Sequence, residues 1–110
     1  MPIVEFNEIT GHPNSVYETL NRKISAYKAN HTILKVGITG RNPQTRFDEH
    51  LRFSSWSRMV VIYQTTSINY ANTLESWLVE KHWDDLINQR KGGGSDLAEQ
   101  GYNYIYVLLA

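Results

Sequence analysis

The stretch that most constrains the fold is residues 33–51, ILKVGITGRNPQTRFDEHL. It reads as a strand, a tight turn and a helix. Along residues 33–39 the side chains alternate, with Leu34, Val36 and Ile38 on one side and Ile33, Lys35, Gly37 and Thr39 on the other. The first set is uniformly apolar and is expected to face a core. The second is expected to form a more open face, where a cation stands beside a glycine that cannot block approach. Gly40 and Arg41 turn the chain. Asn42 suits a helix N-cap and Pro43 the first helical position. In the helix that follows, Phe47 and Leu51 fall on one face, and Arg46 and His50 on another. Lys35, Arg46 and His50 are thereby expected to cluster above an apolar floor.

The remaining elements follow from periodicity and turn residues. Residues 1–13 carry no clear element, only an apolar–acidic start and a Gly-His-Pro break. Asn14 or Ser15 is expected to cap a helix to about Lys28, with Val16, Leu20, Ile24 and Tyr27 on its inner side. Residues 59–65, MVVIYQT, read as a buried strand. A long helical pattern runs from about Asn69 to Arg90, with Ala71, Leu74, Leu78 and Leu86 inward and Glu75 at the border; it weakens at residues 82–85, where a break into two helices is the alternative. Lys91-Gly92-Gly93-Gly94-Ser95 is a connection. Residues 102–109, YNYIYVLL, have strong strand character. The expectation is one α/β (α+β) domain over residues 1–110, with a sheet of about three strands packed by helices.

Composition narrows the function classes. The chain has no cysteine, which removes disulfides and thiolate metal sites and points to a reducing, cytoplasmic setting. Its start lacks a basic segment followed by an apolar run, and no apolar run approaches membrane-spanning length, so no membrane partner is expected. The net charge is zero, yet residues 20–59 hold eight basic and two acidic residues, a balance of +6. A basic middle between acidic flanks is the charge pattern that phosphate recognition uses, and Arg41, Arg46, Arg52 and Arg58 are its candidate nucleic-acid contacts.

Several of these segments together resemble the GIY-YIG nuclease superfamily. They are LKVGIT, then RFDEH with Arg46 nine residues after Gly37, then ANTLESWLVEK with Glu75, then Asn88 in LINQ. The resemblance implies a DNA endonuclease in which Arg46 contacts the scissile phosphate, Glu75 binds one Mg²⁺ (or Mn²⁺) ion and a tyrosine activates water. Asn88 would support the metal or the Glu75 region, and His50 would orient the phosphate or relay a proton. The chain departs from the family pattern in two places. Lys35 stands where the second motif has a tyrosine, as in branches resembling restriction enzymes. A Gly-Ile-Tyr strand ahead of residue 33 is missing, because residues 15–28 read as a helix. Residues 104–108, YIYVL, are expected to fill that slot from the other end of the chain, permuting the strand order. Tyr106 then takes the tyrosine's place. Tyr104 lies on the same face two residues away, and Tyr27 is a third option if residues 24–28 are a strand.

Phosphodiester hydrolysis asks for residues of these types. A guanidinium fork matches phosphate oxygens, and Mg²⁺ keeps several waters when one carboxylate holds it. A phenol is a poor base at its usual pKa of about 10, so a neighbouring ammonium such as Lys35 would have to favour the phenolate. A non-catalytic nucleic-acid-binding module on the same fold is the alternative, and a protein-interaction domain with an incidental polar cluster is the third. His12, His31 and His82 lack paired metal-site spacing and are expected to be structural or at the surface. The tryptophans are expected to be packing residues, with Trp56 also a candidate DNA contact. So small a chain would need a homodimer, its N-terminal helix in a groove, or a partner protein to read a long DNA site.

Overall fold

Apolar alternation sorts the strand residues onto two covered faces. The computed structural model describes residues 2–31, 34–87, 97–98 and 101–110. Its elements are β1 (Ile3–Ile9), α1 (Pro13–Asn30), β2 (Leu34–Thr39), α2 (Pro43–Leu51), β3 (Arg58–Thr65), α3 (Ile68–Lys81), a 3-10 turn (Trp83–Asp85) and β4 (Asn103–Leu109). The sheet runs β1-β3-β4-β2. β4 is antiparallel to both of its neighbours, and β1 is parallel to β3. This is an α/β fold with a mixed sheet.

The last strand occupies the interior of the sheet because its residues suit burial on both sides. Ile105, Val107 and Leu109 join Leu34, Val36, Ile38, Val60 and Ile62 against α1 and α3. Tyr106 and Leu108 join Met59 and Val61 on the other face, under Phe47 of α2 and Trp56. So α2 packs on the side of the sheet opposite α1 and α3. Trp56, at 5% exposure, belongs to this second core, as a packing residue should, and leaves little surface for the DNA contact also expected of it. The face of β2 expected to be open is covered as well, with Gly37 and Thr39 buried and Lys35 half-buried.

Three sequence expectations change. The sheet has four strands, because residues 3–9 form β1. That strand is paired on one side only, and Ile3 and Phe6 stay about half exposed, so its alternation is weak. His12 caps α1 in place of Asn14 or Ser15: its Nδ1 accepts from the Asn14 N–H at 3.1 Å, and Pro13 takes the first helical position. α3 starts under a Ser67 cap and ends at Lys81, well short of Arg90. After the 3-10 turn the Ile87 N–H donates to the Leu34 carbonyl at 3.0 Å, so the chain there lies along the edge of β2. Asn88, Arg90 and residues 91–95 fall outside the described residues. Among the described residues, no helix is long and apolar enough to cross a membrane.

A polar network ties α1 to the end of α3. The Lys28 ammonium donates to His82 Nδ1 at 2.9 Å and to Asp85 at 2.9 Å. His82 Nε2 lies 3.0 Å from Asn21 Oδ1. An ammonium can only donate, so Nδ1 accepts, Nε2 carries the proton, and the ring is neutral. Burial first, and the Lys28 charge second, lower the His82 pKa to about 4, with Asp85 opposing. The folded chain therefore binds this proton less readily than the unfolded one, whose histidine titrates near 6.5. The stabilisation is complete above about pH 6.5 and is lost as pH falls toward 4. Urea midpoints measured across that window are expected to drop with acidification in the wild type, and His82→Gln should flatten this part of the profile.

Candidate active site

β4 pairs with β2 so that Tyr106 lies directly opposite Gly37. The tyrosine ring crosses the glycine: a Cβ at Gly37 would stand 2.3 Å from the ring carbon Cζ and from the hydroxyl. With no side chain in the way, the phenol reaches His50 Nε2 at 2.7 Å. The two rings meet edge to face with centroids 5.7 Å apart. The glycine expected to admit an outside group therefore admits the chain's own tyrosine.

α2 holds His50 and Arg46 at this place. The Asn42 side chain accepts from the Gln44 N–H at 2.8 Å, Pro43 opens the helix, and Phe47 is fully buried beneath it. Burying a phenylalanine contributes about 2–3 kcal/mol, which pins the helix against the sheet. Arg46 Nη1 donates to Glu49 Oε1 at 2.9 Å. From the turn ahead of the helix, Arg41 donates to both oxygens of the same carboxylate, one of them at 2.7 Å. These guanidinium bonds, Arg41 first, hold Glu49 at a pKa of about 2. Lys35 is two residues before Gly37 on the same face, diagonal to Tyr106. Burial lowers its pKa from the usual lysine value, and the Arg46 charge lowers it further.

The expected site residues thus separate into two groups. Lys35, Arg46, His50 and Tyr106 come together on the α2 face, with Arg41 joined through Glu49. Tyr104 shares that face but pairs with Thr39, and its ring tilts toward Tyr102 at 6.5 Å. Tyr27 belongs to α1, which removes it as the site tyrosine. Arg58 lies across the sheet, 3.5 Å from Glu5 and over the Tyr27 ring at 5.6 Å. Arg52 is the exposed C-cap of α2. Glu75 is buried on α3, on the opposite side of the sheet from α2. Asn88 lies outside the described residues.

The +6 balance of residues 20–59 is accordingly no single patch. α1 and α2 carry their cations to opposite faces, and Lys28, Arg41, Arg46 and Arg58 each pair a carboxylate. The sequence reading offers Asp48 or Glu49 as a surface partner for Arg46, Glu49 at the ordinary helix-pair spacing of three residues, but leaves out Arg41, whose fork takes the same carboxylate. It also missed the close packing at Gly40. Asn103 bonds both the N–H and the carbonyl of Ala98, and Ala98 N would lie 2.2 Å from a Cβ at Gly40.

Mg²⁺ or Mn²⁺ does not fit the described groups on the α2 face. Glu49 already accepts from two guanidiniums, and Glu75 is across the sheet. What the arrangement offers instead is a phenol–imidazole pair beside an ammonium and two guanidiniums.

No protein-family model, curated protein or solved structure matches the chain. The Gly37–Tyr106 contact gives a direct check on the geometry. Gly37→Ala is expected to destabilise the protein by about 1–3 kcal/mol through overpacking, read by urea denaturation. In a Tyr106→Leu background the same Gly37→Ala change should cost much less, since the added methyl then meets a smaller neighbour.

Proposed function

We propose that the chain is an endonuclease that hydrolyses DNA phosphodiester bonds, of the GIY-YIG type, with its tyrosine supplied by the last strand. The observation that carries this reading is the 2.7 Å hydrogen bond between the Tyr106 hydroxyl and His50 Nε2, on the face that also holds Arg46 and Lys35. The position of β4 between β2 and β3 supports the permuted strand order that the resemblance requires.

In this reading Arg46 binds the non-bridging oxygens of the scissile phosphate and stabilises the charge that builds there. Water attacks phosphorus as the bond to the leaving sugar oxygen breaks. The water proton passes to the Tyr106 oxygen while the phenol proton passes to His50 Nε2, and the imidazolium then protonates the leaving oxygen. Lys35 favours the phenolate by its charge. The resemblance also implies Mg²⁺ or Mn²⁺ at Glu75. The described residues on the α2 face do not form that site, so every step here uses side chains alone.

Plasmid nicking, assayed with and without Mg²⁺ or Mn²⁺, tests the reading. Tyr106→Phe and Arg46→Ala are each expected to slow cleavage by roughly 100-fold or more. Cleavage by both variants at the wild-type rate overturns the mechanism. Salt-sensitive DNA binding with no cleavage in any metal assigns the chain instead to a non-catalytic binding module.

A further inference from the structure

Glu49 occupies the Arg46 guanidinium that the hydrolytic reading assigns to phosphate. Arg41 meets it with a fork of two N–H donors and Arg46 adds a third, so three guanidinium bonds converge on one carboxylate. The same fork geometry serves carboxylate and phosphate alike. The group is also open to solvent, with the Arg41, Arg46 and Glu49 side chains 44%, 32% and 28% exposed. A buried structural ion pair would be sealed, whereas this one can exchange its anion. Arg46 and Glu49 are three residues apart on α2 and Arg41 enters from the turn before it, so release of Glu49 needs only side-chain rotation.

We propose that Glu49 is an internal stand-in for the substrate phosphate. It holds Arg41 and Arg46 together on the α2 face until a phosphate oxyanion displaces it. The proposal rests on the hydrolytic reading above for the identity of the displacing anion. Because Glu49 stays ionised down to about pH 2, protonation does not release it at working pH, and a competing anion must. Glu49 thereby sets how tightly the site takes phosphate. It weakens binding of free phosphate and favours a substrate that brings several phosphates at once.

Inorganic phosphate, titrated by NMR into the wild type and Glu49→Gln, tests this. Exposed ion pairs contribute modestly each, so losing the competing charge should tighten phosphate binding by about tenfold. Adding Arg41→Ala to the Glu49→Gln chain should remove that gain. The resonances of residues remote from α2 report in the same spectra that each variant is folded. Equal or weaker phosphate binding by Glu49→Gln overturns the proposal. Tighter binding without DNA cleavage upholds it while removing the nuclease. Cleavage with unchanged phosphate affinity does the reverse.

Discussion

The insertion of β4 between β2 and β3 is the constraint on which the rest of the structure depends. The two neighbours are joined through α2 but do not pair with each other; both pair with the final strand. Only with β4 in place do the two cores close, one against α1 and α3 and one beneath α2. The register of this strand is equally decisive. Because the side-chain period is two, a one-residue slip would carry Tyr106 to the α1–α3 face and bring Ile105 or Val107 to the place opposite Gly37. The observed register puts the phenol over the glycine and against His50, so the same backbone pairing builds the fold and the candidate site.

Electrostatics on the α2 face is shaped by crowding of cations more than by their total number. Lys35 is half-buried within the field of Arg46, and burial first and that charge second make its ammonium harder to hold. Glu49 offsets this by accepting from Arg41 and Arg46 together. A charge sum over residues 20–59 carries none of this, since α1 and α2 put their cations on opposite sides of the sheet. Pairing partners also come from outside the basic stretch, as Asp85 does for Lys28 and Glu5 for Arg58.

Where local chemistry is strong, the elements are readable from the chain. Asn42 and Pro43 announce α2, the alternation at 34–38 announces β2, and the apolar run at 59–65 announces β3. β1 was not readable, because an edge strand with half-exposed Ile3 and Phe6 shows little amphipathic contrast. The cap of α1 was misassigned because a histidine Nδ1 can do what Asn14 or Ser15 ordinarily would. The helical pattern outruns α3, which ends at Lys81 where the pattern weakens, because Trp83 and Leu86 continue the core from a 3-10 turn and its extended C-cap. For the candidate site, helix spacing puts Arg46 and His50 on one face, while Tyr106 comes from the resemblance, which leaves it open against Tyr104 until the register is known.

The sequence by itself determined which segments are strands and helices at the centre of the chain, and which face of each is apolar, because those follow from dihedral preferences and side-chain period. It also determined that a lysine, an arginine and a histidine would gather near one strand and one helix. Tertiary structure alone decided which side of the sheet each helix covers, which strands are neighbours and which acids meet which cations. Those depend on contacts between residues far apart in the chain. For that reason Tyr106 meets His50 across 56 positions of sequence, while Glu75, buried on α3, is on the other side of the sheet.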